Sequence, residues 1–412
     1  MLTREQFEAL PVFITTMSRW DGDVSSASLS LAKVLSRTNP VYYIDYPYSW
    51  ADVWRERKKP TVQRRMPALL RGANFLIHPP GVPDQFIGAT PPPVLPVYSM
   101  SPGKLYNWCS NYNNRKLAGM IRRILKLKGY THYILLNSFN PLYLSQLEKY
   151  LQPDLSVYHS RDAIEEVPGH GLYRENECVQ HYDLAMATAR QLCRNIEARN
   201  NRPVAYFPNG GDVSLFRTAI DQPLSKPAEL QDIHTPIIGY TGAVCQRIDY
   251  ELLVKIAEVH SDKTIVMVGP RLDKQFTSIN LDAIKNIVFT GPKKITELPA
   301  YLKYFDCTII PFALTNLTGG IYPLKINEYL AAGKSVVTTR FSEDIAGFAA
   351  SVRLASNHDE FLNMIDAAIM DNSTEVQAAR FEAAAANSWE NRLQLFRNLM
   401  WEAYLKKKSS KP

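Results

Sequence analysis

Short runs of β-branched and aromatic residues recur along this chain between stretches of helical spacing, and that alternation leaves few folds open. Pro11–Thr15, Val41–Asp45, Tyr133–Leu136, Leu155–His159, Leu184–Ala187 and Val204–Phe207 read as strands. Ser26–Ser36, Leu105–Leu127 and a segment near Glu175–Tyr182 read as the helices among them, and the Pro-rich stretch Pro79–Pro102 as an irregular loop. Pro208–Phe216, with two adjacent glycines after an asparagine, reads as a tight turn leaving a first domain. Pro223–Gln231 then reads as a polar linker. The alternation resumes with strands at Pro236–Gly242, Thr264–Val268, Ile287–Thr290 and Thr308–Ile310, and helices at Glu251–Val259, Ile295–Tyr304 and Asp359–Ile369. Strands alternating with helices predict βαβ units and parallel sheets, an α/β fold. A chain of 412 residues is too long for one core. The expected division is 1–222, 223–386, and a terminal helix over 387–412 packing across both domains.

Charge is unevenly spread. Residues 1–218 carry 26 Lys/Arg against 18 Asp/Glu, whereas residues 219–412 carry 21 against 22. Two clusters supply much of the excess: Arg55, Arg57, Lys58, Lys59, Arg64, Arg65 and Arg71, then Arg115, Lys116, Arg122, Arg123, Lys126 and Lys128. Trp50, Trp54, Tyr106, Trp108 and Tyr112 lie close to them in sequence. Basic residues mixed with aromatics suit an anionic membrane surface or a phosphate-bearing acceptor, with a solvated basic face as the plainer alternative. A nucleic-acid binder is disfavoured by the absence of any base-reading motif. No apolar run approaches the roughly 20 residues that span a bilayer. The five cysteines show no metal-type spacing, and the start lacks a signal peptide's order, so a cytoplasmic protein with inert thiols is expected, with the inner face of the cytoplasmic membrane as an alternative place of work.

The stretch Tyr322–Val337 carries the most chemistry. Pro323 suits a first helical position, Ile326, Tyr329 and Leu330 form one apolar face, and Gly333 suits a C-terminal cap before a buried strand. Lys325 and Glu328 fall one turn apart near the helix N-terminus. They are either a solvated pair or a site in which Lys325 meets a phosphate and Glu328 accepts from sugar hydroxyls. Strand-like runs on both sides favour the site, because open α/β sheets bind ligands where strands end and helices begin.

Five pieces in order, Pro208–Phe216, Ile237–Val244, Thr264–Pro270, Asn286–Pro292 and Leu298–Val337, resemble the GT-B glycosyltransferases. The resemblance is closest to family-4-like enzymes that build bacterial surface polysaccharides. It implies two facing Rossmann-like domains with a cleft between them, the second holding a UDP- or GDP-linked sugar. It further implies a hexosyltransferase that retains anomeric configuration and needs no cofactor. Gly242 would let backbone approach the diphosphate, with Arg247 adding charge. Thr290 and Gly291 would lie beside the base, Gly319, Gly320 and Tyr322 along the phosphates and donor sugar, and Glu328 on the ribose. Gly320 stands where the family commonly has a second Glu that touches the donor sugar.

A departing diphosphate needs fixed positive charge, which Arg247, Lys325 and the Thr318–Gly320 backbone can supply without a metal. For the acceptor side, the Ser18–Gly22 loop offers Arg19 and Trp20 as binding residues and Asp21 or Asp23 as a base, with helix capping as the plainer reading. His159 and Asp162 at another strand end are further catalytic candidates, and His170, between glycines, reads as loop. The acceptor would be a saccharide or a polyprenyl-linked one. An inactive GT-B scaffold and a sugar-nucleotide epimerase of the same fold are the alternatives.

Overall fold

The computed structural model describes residues 1–22, 26–98, 100–146, 149–164, 171–322 and 324–410. Asp23, His170 and Pro323 lie outside the described residues. The chain forms two compact units: Met1–Pro208 with Leu393–Pro412, and Asn209–Arg392.

The first unit is built on an eight-stranded sheet. Its strands are β1 (Val12–Thr16), β2 (Val41–Ile44), β3 (Leu76–Ile77), β4 (Phe86–Ala89), β5 (Ile134–Ser138), β6 (Leu155–Ser160), β7 (Leu184–Ala187) and β8 (Ala205–Tyr206). Their order is β3-β4-β2-β1-β5-β6-β7-β8, with every pairing parallel except β3 to β4. Strands covered on both faces read as continuous apolar runs, and β1, β2, β5 and β6 are buried at every position. The Pro-rich stretch expected as loop contains β4, which pairs with β2. Phe86 and Ala89 are fully buried there, so burial overrides the prolines around them. The first basic cluster folds as two helices, Trp50–Glu56 and Pro60–Arg71. Ser49 and Asp52 close a capping box on one, and Pro60 opens the other.

The second unit has a six-stranded, all-parallel sheet of β9 (Ile237–Thr241), β10 (Thr264–Val268), β11 (Ile287–Gly291), β12 (Cys307–Ile310), β13 (Val336–Thr339) and β14 (Arg353–Ala355). The order is β11-β10-β9-β12-β13-β14. The chain winds outward from β9 through β10 and β11, then returns to the other side of β9 with β12. The topological switch therefore lies between β9 and β12, where such sheets bind ligands. Gly239 inside β9 is forced by packing, since a Cβ there would sit 1.9 Å from the Phe305 ring.

Segment 223–231 is part of this unit rather than a linker. Leu230 is fully buried, and Glu229 accepts from the Tyr301 hydroxyl (2.8 Å) and pairs with Lys293. Gly210 and Gly211 do not adopt positive φ. They are required by close approach instead: a Cβ on Gly210 would lie 2.7 Å from Trp389 Cα, and one on Gly211 2.8 Å from Asn327 Cβ. The last helix, Trp389–Ser409, supplies residues to both units. In the first, Phe396 packs on Phe207 (5.1 Å) and Tyr404 stacks on Phe7 (4.7 Å). No helix among the described residues is long and apolar enough to cross a membrane.

Candidate functional site

The helix Leu324–Ala331 sits at the switch point of the second sheet and carries the residues singled out from sequence. Its apolar face buries Ile326, Tyr329 and Leu330 completely. The Tyr329 hydroxyl does more than pack: it accepts from the Thr241 backbone N–H at 2.8 Å, which fastens the helix to the end of β9. Gly333 at φ 72° caps the helix, with its N–H donating to Leu330 O. Asn327 rests on Gly211, so the Asn209–Asp212 turn backs the same helix.

These contacts aim Lys325 across the end of β9. Its side chain lies over Gly242, where a Cβ would come within 2.4 Å of Lys325 Cε, and Nζ stands 5.7 Å from the Tyr240 ring centroid. Gly242 (φ 142°) and Gly269 (φ 153°) end β9 and β10 in conformations open only to glycine. They also touch: a Cβ on Gly269 would be 2.1 Å from Gly242 O. Arg247 follows in the same loop, and its carbonyl accepts from Ala313 N–H (2.8 Å) in the loop after β12. Neither Lys325 nor Arg247 forms an ion pair among the described residues, although both are half-buried. Burial lowers the Lys325 pKa; neighbouring Glu328 works against this and Arg247 with it. Burial likewise raises Glu328 to about 7, against the pull of Lys325 and with help from Asp212. Two uncompensated cations beside one protonatable carboxyl form a site suited to an anion carrying hydroxyl groups.

The other donor-side candidates are less uniform. Gly319 ends the short helix Asn316–Gly319 and is half-exposed, whereas Gly320 is its buried cap. Thr290 and Gly291 are half-exposed at the end of β11; Gly291 stands at φ 73°, and a Cβ there would meet nothing within 4 Å. Tyr322 is held from several sides. It is 4% exposed, its ring faces Phe348 (6.2 Å), and its hydroxyl accepts from Asn327 (3.2 Å) and Arg392 (3.4 Å). It therefore braces the loop through the oxygen of its hydroxyl. Gly269 is a support that sequence reasoning passed over, and Tyr329, expected only as part of the apolar face, supports the site through its hydroxyl as well.

In the first unit, the Ser18–Gly22 loop follows β1 at that sheet's switch point, between β1 and β5. Arg19 stacks over Tyr48 (3.6 Å) and donates to Tyr46 O (3.2 Å). Trp20 packs on Gly88, and its backbone N–H donates to Asp45 (3.0 Å). Asp21 is held as the partner of a buried cation. Both its oxygens accept from buried Arg65 at 2.7 Å, and Arg65 also binds buried Asp45 at 2.8 Å. The Asp21→Asn variant should leave Arg65 paired to Asp45 and lower unfolding stability by about 1–2 kcal/mol, read by urea denaturation. A stability equal to wild type would show that the Asp21–Arg65 bond holds nothing.

His159 lies inside the first unit, at the end of β6. It is fully buried and packed on Phe207 at 5.2 Å, and burial followed by the charge of Arg161 keeps its pKa well below the usual histidine value. Asp162 is half-buried just beyond β6. No group of three or more His, Cys, Asp or Glu among the described residues is placed to hold a metal ion.

Residues 235–371 match the family model for Glycosyl transferases group 1. Four of the five sequence pieces that carry the resemblance, Ile237–Val244, Thr264–Pro270, Asn286–Pro292 and Leu298–Val337, fall within that span. The chain is 30% identical over 169 residues to a Bacillus subtilis (strain 168) protein named "Putative teichuronic acid biosynthesis glycosyltransferase TuaH". That match takes in 40% of this chain and 42% of the relative, so it spans less than half the relative's length. Sucrose-phosphate synthase from Thermosynechococcus elongatus is similar in structure, with TM-score 0.64, 15% identity, and coverage of 95% of this chain and 99% of that one. HepE from Anabaena, solved with UDP and glucose, gives TM-score 0.62 at 13% identity, covering 95% and 100%. These likenesses show the fold: two Rossmann-like units of the GT-B kind.

Proposed function

We propose that this chain is a glycosyltransferase that moves a sugar from a nucleotide-diphosphate donor to a saccharide or lipid-linked acceptor in surface polysaccharide biosynthesis. The observation that carries this reading is the pair of unpaired cations, Lys325 and Arg247, at the β9/β12 switch point with Glu328 one helical turn from Lys325. The relative named for teichuronic acid biosynthesis supports the polysaccharide class. Lys325 and Arg247 take the diphosphate and stabilise the negative charge that grows on it as the glycosidic bond breaks. Being fixed before reaction, they need no metal for that task. Gly242, which has no side chain, lets the phosphates approach its backbone. Glu328 accepts from ribose hydroxyls, and Thr290 and Gly291 lie beside the base, which is uracil or guanine. Transfer proceeds with retention. The acceptor side falls to the first unit, with Arg19 and Trp20 at its switch point, and the protein works in the cytoplasm at an anionic membrane surface.

The test is binding of UDP- and GDP-sugars, measured by calorimetry across pH. Glu328 is ionised only above about pH 7, and ribose hydroxyls donate to the ionised form. A sugar nucleotide's own phosphates stay charged throughout this range. Affinity should therefore fall as pH drops below 7, by up to about tenfold per pH unit, and Glu328→Gln should flatten the profile. The same raised pKa means the folded protein binds more protons than the unfolded chain between the usual carboxyl range and pH 7, so this group's contribution to stability declines as pH rises through that window. No binding of any sugar nucleotide would overturn the reading. Gly320, in the place of a family glutamate, favours one rival, an inactive scaffold; binding without turnover would establish it.

A further inference from the structure

The first unit holds a pocket remote in sequence from the nucleotide residues. It encloses about 310 Å³ between the helices Pro60–Arg71 and Lys104–Lys128. Arg115, Lys116 and Arg123 stand around it, over apolar surface from Ala68, Phe75 and Met120. No carboxylate lines it, and none of the three cations forms an ion pair among the described residues. Arg123 is oriented by the protein itself: it stacks over Phe75 (4.4 Å) and donates to Gly72 O (3.0 Å).

Two further observations point to an occupant. Gly119 lies in the middle of a 25-residue helix, a position where glycine weakens the helix, and a Cβ there would meet nothing within 4 Å. No clash or backbone angle demands glycine at that place; its effect is to keep the pocket open. The pocket also continues into an apolar stripe on the same helix. Trp108, Tyr112, Lys116, Gly119 and Arg123 follow one another at spacings of three and four, so they share a face. Trp108 and Tyr112 stack on each other at 6.2 Å, Lys116 lies over Tyr112 at 5.4 Å, and the two rings are 62% and 40% exposed. Exposed aromatic rings next to unpaired cations match the boundary between lipid headgroups and acyl chains.

We propose that this pocket binds the phosphate headgroup of an anionic membrane lipid, with Trp108 and Tyr112 entering the lipid interface beside it. The inference rests on the reading of this chain as an enzyme working at an anionic membrane, and it names the site that makes the contact.

The test is co-sedimentation of the full chain with vesicles of phosphatidylcholine alone or of phosphatidylcholine with an equal part of phosphatidylglycerol. Wild type should bind the mixed vesicles and lose binding with added salt. Gly119→Trp fills the pocket and removes no charge; it should bind roughly fivefold more weakly, the attraction of about one basic residue. Arg115→Gln with Lys116→Gln should weaken binding roughly 25-fold by the same measure. Sugar-nucleotide affinity, read on the same preparations, should be unchanged and shows that the variants are folded. Equal binding by Gly119→Trp and wild type would overturn the pocket while leaving the membrane reading intact. Equal binding to both vesicle types would overturn the anionic headgroup as the occupant, and no binding by wild type would sink the membrane reading itself. None of these results bears on donor binding, which belongs to the second unit.

Discussion

Lys325→Ala should reduce sugar-nucleotide binding and transfer by roughly a hundred- to a thousandfold, the range seen when one preorganised charge-stabilising group is removed. The physical reason is the setting of the ammonium group. Lys325 is half-buried, has no carboxylate in ion-pair contact, and shares its surroundings with a second cation, Arg247. Its pKa is lowered, so the charge is held at a cost in the free protein. A surface lysine would lose nothing on removal, whereas this one is offset only in part by Glu328 until an anion arrives. The same argument gives an unusual second expectation. The Lys325→Ala protein should be as stable as wild type or slightly more stable when free, and should lose the thermal stabilisation that sugar nucleotides give wild type. Retained binding together with unchanged stability would show that Lys325 faces solvent without a ligand role.

Gly269→Ala should have the largest effect on stability, about 4 kcal/mol from forced positive φ and overpacking together. Gly269 stands at φ 153°, and its Cβ would lie 2.1 Å from Gly242 O and 3.3 Å from Ala243 N. Backbone cannot swing aside as a flexible side chain can. The Gly242 N–H bond to Val268 O (2.7 Å) would have to lengthen, and Gly242 would leave its place beneath Lys325. Urea unfolding followed by fluorescence should show the second unit melting at lower denaturant, with nucleotide binding lost before the first unit changes. A variant with wild-type unfolding and binding would mean that the β9 and β10 ends are free to separate.

The sequence revealed the second unit more fully than the first for a definite reason. Parallel strands buried on both faces announce themselves as apolar runs, and β9, β10, β12 and β13 do so. The glycines at their ends are tied to backbone geometry, so Gly242 and Gly333 could be read as special positions. Gly210 and Gly211 could be noticed but not explained, because what they avoid, Trp389 and Asn327, lies more than a hundred residues away in the chain. The pairing of Asp21 was hidden for the same reason: its partner Arg65 was visible only as one member of a basic cluster. Nothing local says that Arg65 turns inward while its neighbour Arg64 stays 48% exposed. Strand β4, with only four residues among prolines, carried too little periodic signal to be found.

The route of the chain has a consequence of its own. It enters the second unit at Asn209 and leaves it after Arg392, and the ends of that segment are stapled together: Gly211 N–H donates to Asn387 O (2.9 Å), and Trp389 N–H to Gly211 O (3.2 Å). A segment whose two ends meet can be lengthened, shortened or swapped for a relative's without altering the spacing of the residues that flank it. The polypeptide is thus organised as a host with an inserted cassette, and the proposed donor site, which lies wholly within that cassette, is expected to travel with it in a transplant.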